Sequence, residues 1–132
     1  LLAPVAASIN FVWELAQMPA YRLSGFSAVV HIAWCGLASV GDAAMTYGIV
    51  VIADVVLRRV SSAPHRFGLY ATTAIVGLPV AALVEFVALH VGFWAYDPRM
   101  PTLFGLGLLP LLQLSVLTPV ALAISERLSR RT

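Results

Sequence analysis

Polar side chains are sparse in the interior of this chain, and where they interrupt apolar stretches they do so at helical spacing. Within SINFVWELAQMPAYR, residues 8–22, Asn10, Glu14, Gln17 and Tyr21 stand at i, i+4, i+7 and i+11. At about 100° per residue they share an arc of roughly 60°, so a helix over residues 2–21 carries one narrow polar stripe with Trp13 pointing away from it. Pro19 and the interfacial pair Tyr21 and Arg22 mark its end.

The next stretch, residues 25–57, is mostly apolar throughout. As one helix it would be near 50 Å long, against a hydrocarbon core of roughly 30 Å. Gly36 and Gly41 are the natural place for it to bend or break, giving an interfacial helix at 27–38 and a span at 40–57. Helical phase favours the bend. Ala28, His31, Cys35, Ala38, Asp42, Thr46, Ile49 and Ala53 fall within about 80° of one another on a single continuous helix.

A third span is expected at 68–90, with Glu85 on a face carrying Ala74, Leu78, Ala81, Ala82, Ala88 and Gly92, whose small residues suit close helix approach. Residues 91–103, with Trp94, Tyr96, Asp97-Pro98 and Pro101, read as a loop at the membrane interface. The fourth span, 104–128, contains Gly105, Gly107, Pro110 and Pro119 and is expected to be kinked; it carries Gln113.

Composition turns these elements into a class. Of 132 residues, 61% are hydrophobic and 11% are charged, and the mean hydropathy is +0.93. The expectation is an all-α integral membrane protein, a four-helix transmembrane bundle with an overlong or bent second element, forming a single domain over residues 1–132. The start at Leu1 rather than Met suggests a fragment or processed product. No basic patch interleaved with aromatics points to nucleic acid, so the bilayer is the expected partner.

Charge sets the orientation. Arg58, Arg59 and Arg66 flank one connection and Arg127, Arg130 and Arg131 the tail, whereas Arg22 and Arg99 stand alone in the opposite loops. The loop at 58–67 and the C-terminus are therefore expected in the cytoplasm of a multi-pass cell-membrane protein.

This topology collects Glu14, Asp42 and Glu85 in the outer half of the membrane, with Asp42 opening the second span. Intramembrane carboxyls are costly, about 2.5 kcal/mol or more each, and mark functional sites. Taken out of water without a cation, a carboxyl is suited to acid/base work. Glu14 and Glu85 are accordingly the candidate catalytic acid and base. Asn10, Gln17, Asp42, Gln113 and His31 are the candidate ligand-binding groups, lining a polar cavity for a lipidic or small polar ligand. Three other roles fit the same residues: a non-catalytic helper subunit, a proton- or ion-coupled carrier, and assembly with a second copy or a partner membrane subunit.

Nothing in the sequence names a cofactor. No His-x-x-His, His-x-x-x-His or Glu-x-x-His spacing supports a metal site. Cys35 is the sole cysteine, which excludes an internal disulfide, and it reads as a packing residue.

Trp94-Ala95-Tyr96, the loop after it and Gly105 to Gln113 resemble a segment of the small membrane-embedded lycopene cyclases, in which a W-x-Y turn precedes a Gly- and Pro-rich helix start. The resemblance implies an isoprenoid enzyme whose acids follow the proline. Here Pro110 is followed by Leu111, Leu112 and Gln113, so the residues expected to protonate a polyene are absent from that helix.

Overall fold

The computed structural model describes residues 1–22, 25, 27–60 and 65–131. Four α-helices make up most of it: α1 (Leu2–Gln17), α2 (Ala28–Val60), α3 (His65–Val91) and α4 (Leu108–Ser129). Helix α1 packs on α2 and α4, and α3 packs on the same two, so the helices form an all-α four-helix bundle. The connection at 61–64 and most of that at 23–26 lie outside the described residues.

Helix α1 runs into a 3₁₀ turn, Met18–Ala20, at Pro19, whose missing N–H and ring end α-helical bonding. Its 16 residues give about 24 Å, short of the hydrocarbon core. The other three helices are each long and apolar enough to cross a membrane.

The expected division of the second stretch does not occur. Helix α2 is continuous through Gly36 and Gly41, and no separate interfacial helix exists at 27–38. No proline lies between residues 28 and 60, so no backbone N–H is lost. Packing of Cys35, Ser39, Ala43, Thr46, Ile49 and Ala53 against the bundle holds one helical phase throughout. Asp42 is consequently a mid-helix residue, not the first residue of a span.

The fourth helix starts at Leu108, four residues later than expected, because residues 102–107 form a small hairpin. Strands β1 (Thr102–Leu103) and β2 (Leu106–Gly107) pair antiparallel about Phe104 and Gly105, both at positive φ. That is the geometry of a two-residue turn matched to strand twist, and it absorbs glycines that otherwise suggested a kink. Pro110 then falls in the first turn of α4, where its missing N–H costs no helical bond.

The core is built from small side chains. Ala6, Ala43 and Ala121 form one cluster, Ile49, Ala81 and Leu114 a second, and Ala53, Leu69 and Leu122 a third. Helices α3 and α4 approach each other closely at Gly77. A Cβ on Gly77 would lie 2.7 Å from the carbonyl oxygen of Leu114, and Ser115 Oγ donates to the Ala74 carbonyl at 3.0 Å. Thr46 and Thr118, both fully buried, meet at 3.5 Å. Large apolar residues such as Val29, Trp34, Leu37, Ile75 and Leu83 cover the outside instead. Polar groups within and apolar ones without is the arrangement of a bundle solvated by lipid.

Candidate functional site

The ends of α1 and α3 and the first halves of α2 and α4 bring the acids to one end of the bundle. The stripe on α1 faces inward, with Asn10 fully buried and Gln17 nearly so. Gln113, one and a half turns into α4, is the hub. Its Nε2 lies 2.7 Å from Asp42 Oδ2, 2.9 Å from Glu14 Oε1 and 3.0 Å from Asn10 Oδ1. Gln17 Nε2 reaches Glu14 Oε1 at 3.0 Å and Gln113 Oε1 at 3.1 Å. Asn10 turns its own Nδ2 to the Ala6 carbonyl at 2.9 Å. Trp13 does not point away from this group: its indole Nε1 donates to Gln17 Oε1 at 3.1 Å.

Counting hydrogens defines what this cluster holds. The two amide nitrogens carry four hydrogens and face five acceptor contacts, so one contact is left without a donor. Glu14 and Asp42 lie side by side, each with a carboxyl oxygen within 3 Å of the same Gln113 nitrogen, at 2.9 and 2.7 Å. Two carboxyl groups placed this close, with no cation beside either among the described residues, favour sharing one proton over ionising together. The groups touch directly rather than facing one another across an open cavity.

Glu85 belongs to a second constellation. Only 4% of it is exposed. Its Oε2 accepts hydrogen bonds from Tyr96 Oη and, at 3.4 Å, from Trp94 Nε1. Tyr96 Oη in turn accepts from the Gly107 backbone N–H at 2.7 Å, which ties the hairpin to the acid. A Cβ at Gly107 would lie 3.0 Å from the tyrosine ring, so the glycine permits that approach.

Tyr21 lies near both groups of acids. Its backbone pairs with that of Tyr96, with Arg22 N–H donating to Ala95 O at 2.9 Å and Asp97 N–H to Ala20 O at 3.0 Å. Its ring packs against Trp94 at 6.2 Å and Tyr96 at 5.7 Å between centroids. Burial first, then the nearby acidic groups Glu85 and Glu14, pushes the Tyr21 hydroxyl well above its ordinary value. Burial and the Glu85 hydrogen bond do the same for Tyr96. Both phenols therefore remain donors across the usual pH range. Outside this aromatic cap, Arg99 holds the Asp97 carboxyl below the usual range through a 2.8 Å bond.

Of the seven residues singled out from sequence, Asn10, Glu14, Gln17, Asp42 and Gln113 form one hydrogen-bonded unit, and Glu85 bonds separately to Tyr96 and Trp94. His31 is not brought in, since eleven residues of α2, about 16 Å, separate it from Asp42. Tyr21, Trp94 and Tyr96 are the residues sequence reasoning passed over as interfacial aromatics. Tyr21 carried a signal, as the last member of the α1 stripe. Cys35 lies 3.9 Å from the Met18 sulfur, in packing contact. Among the described residues, no three His, Cys, Asp or Glu side chains are grouped to hold a metal ion.

The W-x-Y turn touches the segment before α4 through the Gly107 N–H to Tyr96 Oη bond, while Gln113 bonds to α1 and α2 instead. Comparison of the chain with protein-family models, with curated proteins and with solved structures gives no match.

Proposed function

We propose that the acid end of the bundle is a proton-transfer site for a lipidic or small polar ligand, working in the outer half of the cell membrane. The carrying observation is the Glu14–Asp42 pair bridged by Gln113, two part-buried carboxyls side by side with an amide to hold them in place. Glu14, half-exposed where Asn10 and Gln113 are buried, is the group that meets the ligand, and Asp42 is its proton partner. Glu85, accepting bonds from Tyr96 and Trp94, is the complementary base. Ile49, Ala53, Leu69 and Leu122 fill the bundle between this end and the arginine-rich end. That packing favours access from one side, hence a site that binds and reacts over a carrier that passes its ligand through.

A helper role is favoured by a different observation, the extent to which the polar groups satisfy one another across α1, α2 and α4. Mass spectrometry of lipids and small molecules retained by the purified protein separates the two. A proton-transfer site retains a specific ligand that Glu14→Gln releases or leaves unreacted while the bundle stays folded. Retention of bulk lipids alone, identical in both proteins, contradicts the proposal.

A further inference from the structure

At the opposite end of the bundle, the first turn of α3 and the last turns of α4 enclose an open groove of about 430 Å³, lined by Arg66, Ser125, Glu126, Ser129 and Arg130. Its one acid is already engaged. Glu126 accepts from Arg66 and, at 3.0 Å, from Tyr70 Oη. Arg66 also directs its Nε to Tyr70 Oη at 3.4 Å, so two of its five N–H donors are used and three are left to the groove. Ser125 and Ser129 donate to the carbonyls of Leu122 and Ser125, each at 2.9 Å, which leaves the guanidinium groups as the donors facing an incoming ligand.

The surroundings add charge of the same sign. Six arginines (Arg58, Arg59, Arg66, Arg127, Arg130 and Arg131) stand at this end against two acids, Asp54 and Glu126. At the same end of the bundle, Phe67, next in sequence to Arg66, is 80% exposed, and Leu128 and Val60 are exposed as well. Guanidinium donors next to exposed apolar side chains, at the end of helices long enough to cross a membrane, match a ligand with an anionic head and apolar chains.

We propose that this groove binds the phosphate headgroup of an anionic phospholipid between Arg66 and Arg130, with the acyl chains lying against the exposed apolar side chains of this end, Phe67 first among them. A zwitterionic lipid brings an ammonium group toward the same arginines and binds less well. The groove is separate from the acid site and the proposal does not rest on the proton-transfer reading.

The test uses the full chain in nanodiscs of phosphatidylcholine with or without phosphatidylglycerol, followed by native mass spectrometry of the released protein and by thermal unfolding. Wild type should keep phosphatidylglycerol in preference to phosphatidylcholine. Arg130→Gln, which leaves the Arg66–Glu126 pair intact, should lower that retention about fivefold, the effect of one arginine at an anionic surface. Arg99→Gln, at the far end, should leave it unchanged. Equal retention in wild type and Arg130→Gln overturns the proposal, as does an equal loss in Arg99→Gln. Inorganic phosphate that stabilises the protein as fully as phosphatidylglycerol would overturn the lipid assignment.

Discussion

Gln113 Nε2 lies 2.7 Å from Asp42 Oδ2, although 71 residues separate them in the chain. Through the same nitrogen Gln113 also holds Glu14 and Asn10, so α1, α2 and α4 meet on one side chain. Gln113→Leu keeps the approximate volume and removes every one of these bonds. The expected loss is about 1–3 kcal/mol for each buried polar group left unpaired, read as a lower unfolding temperature in detergent. A variant as stable as wild type would mean that the cluster does not tie the helices together.

The α3–α4 crossing makes a sharper steric prediction. Gly77→Ala sets a methyl 2.7 Å from the Leu114 carbonyl oxygen, backbone that cannot move alone, and should destabilise by about 1–3 kcal/mol. Gly41→Ala and Gly48→Ala meet nothing within 4 Å and lie inside α2. They should be neutral or stabilising by about 0.5–1 kcal/mol, since alanine is the better helix former. Thermal unfolding of the three variants side by side decides the point.

The aromatic cap predicts an alkaline response. In the folded protein Tyr21 and Tyr96 hold their protons above the ordinary phenol value, while the unfolded chain releases them near pH 10. The native state then binds more protons than the unfolded state, so stability falls as pH rises through and beyond about 10. Tyr96→Phe removes one of the two groups and should make that fall shallower. An unfolding series from pH 8 to 11 with an unchanged slope would show that the phenol is not held as described.

Orientation follows from arginine placement. A reporter inserted at Ser62 should read as cytoplasmic and one at Asp97 as external. Reversed signals would transfer the acid end to the cytoplasmic side and the arginine groove to the outer one.

Much of this arrangement was legible in the sequence, for identifiable reasons. The α1 stripe was visible because a polar residue in an apolar helix has one place to go, and its spacing alone says which face is buried. Glu85 was legible on the same ground. The continuity of α2 was less so, because Gly36 and Gly41 lower helix propensity whereas packing of Cys35, Ser39 and Thr46 sustains the helix, and that packing is tertiary. The hairpin at 102–107 hid behind glycines and prolines that also signal a kinked helix. The roles of Trp94 and Tyr96 were out of reach, since an aromatic at a helix end looks the same whether it meets headgroups or a buried carboxyl. Trp13 is different: it stands one turn before Gln17 on the same side of α1, so its bond to Gln17 was open to reading from the i, i+4 spacing.

The central claim is that Glu14 and Asp42 share a proton, and infrared spectroscopy of the carboxyl C=O stretch at neutral pH tests it most directly. Wild type should show a protonated-carboxyl band that shifts in D₂O. Glu14→Gln and Asp42→Asn should each abolish it, because the proton belongs to the pair, whereas Glu85→Gln should leave it in place. A wild-type spectrum without that band, or a band that survives both Glu14→Gln and Asp42→Asn, would contradict the account.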